Sequence, residues 1–116
     1  MRIGWTAEAE ADLAAIYEHF SVASPQGASR LLGGIVRRVD QLAEFPLSGR
    51  VIPELGVPLL RELIEGGYRL MYEVFSDRVE MFAVLHGARD IPSKPERLAT
   101  SGALRLSPAE RQRAPN

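Results

Sequence analysis

The apolar residues of this chain change their spacing once, and that change limits what it can fold into more than any other feature. Ala28, Leu31, Leu32, Ile35, Val36, Val39, Leu42 and Ala43 recur at three- and four-residue steps, the period of one helix face. From Leu60 to His86 the apolar pattern is that of strands, with a period of two along Tyr68 to Val74 that only Met71 interrupts. Between the two lies Pro46 to Pro58, with three prolines and two glycines, which reads as an irregular connection. A helical region followed by strands on short turns predicts an α+β domain in two layers.

The remaining elements fit that frame. Arg2 to Trp5 reads as a short N-terminal strand. Thr6 is a good helix N-cap, and Glu8 and Glu10 sit in the first turn, where the helix dipole favours carboxylates. Ala9, Leu13, Ile16, Tyr17 and Phe20 form an apolar stripe, and Ser21 to Ser24 is expected to end that helix. Ser24-Pro25 starts the second helix as a cap followed by proline at the first helical position. The opposite face of that helix carries Arg30, Arg37, Arg38, Asp40 and Glu44. Phe45-Pro46 ends it. The short break between the helices predicts an antiparallel helical hairpin. Gly33-Gly34 within it costs about 1 kcal/mol per residue relative to alanine, and is either a tolerated weak spot or a close approach of the partner helix. Leu60 to Ile64, Tyr68 to Phe75 and Val79 to His86 read as strands. Gly66-Gly67 and Ser76-Asp77 are tight turns, so the three form an antiparallel meander.

At 116 residues the chain fits one domain. No unbroken apolar run is longer than Met81 to Leu85, which is too short to span a bilayer, and the N-terminus has no apolar leader. With no cysteine and two distant histidines, His19 and His86, no disulfide framework, thiol chemistry or metal-ligand spacing is visible. No motif calls for a cofactor. A cytoplasmic protein is the default expectation. Charge is uneven: residues 1–90 hold nine Lys+Arg and thirteen Asp+Glu, a net −4, whereas residues 91–116 hold five and two, a net +3. Proteins that grip nucleic acid through phosphates carry a basic excess. The bulk electrostatics of residues 1–90 argue against nucleic acid as a direct partner.

Along the Tyr68 strand, Tyr68, Leu70, Tyr72 and Val74 point one way and Arg69, Met71 and Glu73 the other. The first set fits against the helices. Met81 to Leu85 is apolar on both faces, and two helices cover only one. The second face needs either the chain's own C-terminal segment, with Leu98, Leu104 and Leu106, or a partner protein.

Three stretches, Leu60-Arg61-Glu62-Leu63, Gly67-Tyr68-Arg69-Leu70-Met71-Tyr72-Glu73-Val74 and Val84-Leu85-His86-Gly87-Ala88-Arg89-Asp90-Ile91-Pro92, resemble the sheet of RelE/ParE toxins. Leu42-Ala43-Glu44-Phe45-Pro46-Leu47-Ser48-Gly49-Arg50 resembles the helix exit of ParE-like members. The resemblance covers residues 1–95 and implies a RelE/ParE-like toxin domain there, with 96–116 a partly flexible C-terminal extension. It also implies one half of a type II toxin–antitoxin pair. RelE-like members cut mRNA in the ribosome. ParE-like members inhibit DNA gyrase, and both are neutralised by an antitoxin that wraps the toxin.

Cutting RNA at a 2′-hydroxyl needs a base, an acid and cations at the developing phosphorane charge. Arg69 and Arg89 match two of the family's arginines. Arg61 lies one residue out of register with its basic positions. The family's preceding lysines are replaced by Leu60-Arg61-Glu62-Leu63, no tyrosine follows Tyr72, and Glu62 would repel phosphate. An RNase set would be Arg61, Arg69, His86 and Arg89, and it is incomplete. The resemblance therefore implies a gyrase inhibitor that acts by binding, with Arg69, Arg89 and Arg61 meeting the target. A ribosome-dependent endoribonuclease and a non-toxic antitoxin-binding relic are the alternatives. Each residue also has a structural reading. Arg69 could pair with Glu73, Glu62 or Glu80. Arg89 could pair with Asp90, and His86 could be a strand-end residue bonded to backbone. A ParD-like antitoxin would meet Arg30, Arg37 and Arg38 on the second helix and Met71, Phe82 and Val84 on the sheet.

Overall fold

The computed structural model describes residues 1–87. Strand β1 (Arg2–Trp5) leads into helices α1 (Ala7–Ala23) and α2 (Pro25–Asp40), and a 3-10 turn (Gln41–Ala43) ends the helical hairpin. Strands β2 (Arg50–Val51), β3 (Leu60–Glu65), β4 (Tyr68–Val74) and β5 (Arg78–His86) follow. The sheet order is β1-β5-β4-β3-β2. Strand β1 runs parallel to β5, with Trp5 opposite Met81, and all other pairs are antiparallel. Both helices pack on one sheet face, which gives the two-layer α+β arrangement the pattern predicts.

Local chemistry explains the boundaries. Thr6 Oγ1 accepts from Ala9 N at 3.1 Å and starts α1. Helix α1 runs through Ser21–Ala23 rather than breaking there. None of those residues forbids a helix, and the Ser21 hydroxyl donates to Tyr17 O at 2.6 Å, a bond made inside a helical turn. One extended residue, Ser24, then separates the helices. Its N–H donates to Phe20 O at 2.8 Å and its Oγ accepts from Gly27 N at 3.0 Å, so it closes α1 and caps α2 together. Gly66 and Gly67 adopt positive φ (58° and 83°) in the β3–β4 turn, a region that favours glycine. The glycine pair in α2 proves to be two different sites. A Cβ on Gly34 would lie 3.0 Å from Glu65 Oε2, so the close approach is to the end of β3 and not to the partner helix. Gly33 faces outward, beside Arg37.

The core between helices and sheet gathers Ala9, Ile35, Val39 and Leu42 against Leu63, Leu70, Tyr72, Val74, Val79, Met81 and Val84. The far face is not open, contrary to expectation. Met71, Phe82 and Ala83 are each 1% exposed and cluster with Ile52 and Leu60, with Leu55 and Val57 packed against them. The connection before β3 therefore supplies cover that the sequence reading assigned to the C-terminal segment or a partner. A β-bulge completes the explanation. Met71 pairs with Ala83 and Tyr72 with Met81, leaving Phe82 as the extra residue on β5. Phe82 and Ala83 thus share the far face while Met81 and Val84 enter the main core. Leu98, Leu104, Leu106 and the whole 96–116 extension lie outside the described residues.

Candidate functional site

The far face of the sheet carries a compact set of charges. Arg50 stands directly opposite Glu62 across β2 and β3. Arg69 faces Ile64, one step along the same face from Glu62. Glu62 Oε2 accepts from Arg50 Nη2 at 2.6 Å and Nε at 2.7 Å. Its Oε1 accepts from Arg69 Nε at 2.7 Å. The other side of the Arg69 guanidinium donates two 2.7 Å bonds to Glu54, one to each carboxylate oxygen. The Glu62 side chain is fully enclosed, Arg69 is 6% exposed and Glu54 44%. Burial alone would disfavour these charges. The paired bonds to Arg69 outweigh that and hold the Glu54 carboxyl at about 2, and they raise Arg69 above the ordinary arginine range. Two arginines and two glutamates leave the cluster neutral, and they tie the 52–57 connection down onto the sheet.

Beside this cluster lies an open groove of about 720 Å³, reached by Arg50, Glu54, Ile64, Gly67, Arg69 and His86. His86 is exposed at the end of β5, its ring edge-on to Tyr68 with centroids 5.5 Å apart. Of the described members of the expected RNase set, Arg69 and His86 share this groove and Arg61 does not. Arg61 lies on the opposite sheet face, because adjacent strand residues alternate. It donates to the carbonyls of Pro58, Leu47 and Gly49 at 2.9, 3.1 and 2.9 Å. Arg89 falls outside the described residues. The structural pairing weighed for Arg69 is found with Glu62. Glu54 was not foreseen, since only the folded connection brings it there. Arg61 and Arg69, expected as target contacts, are both bonded within the domain.

A second surface lies on the outer side of the helical hairpin. Trp5, Leu13, Ala14, Tyr17, Leu32 and Val36 line a groove of about 490 Å³ between α1 and α2. Tyr17 is 38% and Val36 43% exposed. The signal for it stood in the sequence. Ile16-Tyr17 and Ile35-Val36 are adjacent apolar pairs, so each stripe is wider than one buried face. The first of each pair packs against or into the core and the second is left on the groove. The residues expected to meet an antitoxin divide accordingly. Met71, Phe82 and Val84 are enclosed side chains, the first two beneath the 52–57 connection and Val84 in the main core. Arg38 turns inward to Glu65 at 3.6 Å and Gln41 Oε1 at 3.3 Å. Arg30 and Arg37 stay exposed on α2 and line a shallow groove of about 500 Å³.

Residues 3–91 match the family described as ParE toxin of type II toxin-antitoxin system, parDE. The chain belongs to this ParE toxin family. Within the wider RelE/ParE group it is 35% identical over 89 residues to Toxin RelE2 of Caulobacter vibrioides, covering 76% of this chain and 97% of that protein. It is also similar to a chain of the solved chromosomal ParDE TA system from P. aeruginosa, with TM-score 0.63 and 28% identity over 74% of this chain and 95% of that one. The family match ends at residue 91.

Proposed function

We propose that this ParE-family toxin acts in the cytoplasm by binding DNA gyrase, without cutting RNA, and that a ParD-like antitoxin neutralises it. The observation that carries the first half is the state of Arg69. A cation that stabilises a phosphorane must be free to meet it. Arg69 is enclosed and bonded to two carboxylates, and Glu54 keeps its negative charge at neutral pH beside the only histidine of the groove. The charges of this cluster cancel, so the groove offers phosphate no net attraction. The groove between α1 and α2 supports the second half. It is apolar and open, with Leu13, Ala14 and Tyr17 of α1 on one side and Leu32 and Val36 of α2 on the other, which suits the docking mode in which an amphipathic segment lays its apolar face into a groove. Gyrase supercoiling and DNA-cleavage assays beside a ribosome-dependent mRNA cleavage assay test the reading. Supercoiling should be inhibited and mRNA left intact. Robust mRNA cutting with gyrase untouched would overturn it and favour the ribonuclease reading, for which exposed His86 beside Arg50 is the supporting observation.

A further inference from the structure

The described residues contain eight arginines, and the fold consumes six. Arg2 pairs with Asp77, Arg38 with Glu65, Arg50 with Glu62, Arg69 with Glu54 and Glu62, and Arg78 with Asp77 and Glu80. Arg61 is spent on carbonyls. Arg30 and Arg37 make no ion pair or side-chain hydrogen bond among the described residues. They lie seven residues apart, about 10 Å along the helix axis, on the face of α2 next to the one that gives Leu32 and Val36 to the apolar groove. Gly33 stands between them, Gln26 and Ser29 line the same shallow groove, and exposed Asp40, one turn beyond Arg37, forms no ion pair with it. Across the groove, Glu10 and Glu18 lie along α1. Both are exposed, and neither has an ion pair.

The apolar groove thus carries two unpaired carboxylates on its α1 side, and two unpaired arginines line the shallow groove on the next face of α2. We infer that these two rows select the partner helix and fix its direction. The occupant is a helix of the antitoxin proposed above, with acidic residues along its α2-facing flank and basic residues along its α1-facing flank. The arginine spacing matches carboxylates seven residues apart on such a helix, since both follow the same rise per residue. Turning that helix end for end exchanges its flanks and sets like charge against like on both sides. Complementary rows of this kind act chiefly on association rate and on the exclusion of wrong partners.

The inference rests on the antitoxin reading, and the test separates the two. Binding of the protein encoded beside this chain is measured at 50 mM and 500 mM salt. The variants are Arg30→Glu/Arg37→Glu, the four-fold exchange that adds Glu10→Lys/Glu18→Lys, and Val36→Asp. The four-fold variant keeps the net charge, so only the local pattern changes. Association should slow about tenfold in the double variant and more in the four-fold one at low salt. Both should approach the unaltered rate at high salt. Circular dichroism checks the fold, and the double variant alone decides the matter if the four-fold one does not fold. If Val36→Asp abolishes binding while both charge variants bind normally, the groove stands and the inference falls. If the unaltered chain does not bind the neighbouring protein at all, the antitoxin reading falls and takes this inference with it. A 20-base-pair DNA duplex serves as the other probe. Salt-sensitive DNA binding lost in Arg30→Glu/Arg37→Glu would make the arginine row a phosphate site and overturn the inference.

Discussion

Arg69→Ala separates a structural arginine from a functional one by the size of its effect. The substitution leaves the Glu62 carboxylate enclosed, with Arg50 as its remaining ionic partner, and strips both bonds from Glu54. Removing one member of a buried pair costs about 3–5 kcal/mol. The Arg50 contacts at 2.6 and 2.7 Å still neutralise Glu62, which places the expectation at the lower end, about 3 kcal/mol. For a domain of this size that is a drop in Tm of roughly 10–20 °C. A surface arginine kept for target binding would cost under about 1 kcal/mol. Urea and thermal unfolding of the purified variant, with the soluble fraction and growth inhibition measured in cells, give both numbers. A stability loss below about 1 kcal/mol with toxicity abolished would refute the structural account and return Arg69 to the functional site. The compensated variant Arg69→Met/Glu62→Leu removes both charges and should recover to within about 1 kcal/mol of the unaltered protein, because apolar replacements of a buried pair are commonly tolerated.

Gly49→Ala should destabilise by about 2 kcal/mol in urea unfolding, because its Cβ would lie 2.6 Å from the backbone oxygen of Glu62, which cannot swing aside. Tyr72→Phe should cost about 1–2 kcal/mol by the same measurement, since the enclosed hydroxyl accepts the Gly49 N–H at 2.9 Å and its removal leaves that donor unsatisfied. Acid titration of stability should show a loss between pH 4.5 and about 2. Glu54 has a folded value of about 2 against an ordinary 4.5, so its contribution is complete above pH 4.5 and disappears as pH falls through the folded value. Because the Glu54 side chain is 44% exposed, solvent screening keeps that contribution to about 1 kcal/mol, and Glu54→Gln should flatten this part of the curve.

Period, caps and turn residues made most of the fold legible. Thr6, Ser24-Pro25 and Gly66-Gly67 each mark a boundary through local chemistry, and the alternation from Tyr68 to Val74 assigns both faces of β4 correctly. What escaped depends on contacts distant in sequence. The parallel pairing of β1 with β5 has no local signature. The β2 pairing is two residues long and sits among turn residues. Phe82 could not be identified as a bulge from five consecutive apolar residues, and the bulge decides which face each of them takes. The site was harder for the same reason. Arg69 and Glu62 are close in sequence and their pairing was foreseen as one option. Glu54 reaches them only because Ile52, Leu55 and Val57 fold the connection onto the far face.

Residue type alone misleads in a domain where acids outnumber bases. Residues 1–87 hold twelve Asp+Glu and eight Arg, and four of the five arginines on the sheet meet a carboxylate. Arg30 is marked by what its neighbours lack, whereas Arg37 stays unpaired with Asp40 one turn away. Around Arg30, the helix positions three and four residues away hold Gln26, Gly27, Gly33 and Gly34, and none is acidic. The two glycines in α2 each cost that helix about 1 kcal/mol relative to alanine, and they act on different faces. Gly34 admits the Glu65 side chain to the core side, where Arg38 meets it. Gly33 leaves the outer row bare between Arg30 and Arg37. A stretch that weakens the helix as a local structure is thereby the stretch that keeps two charges available to a partner.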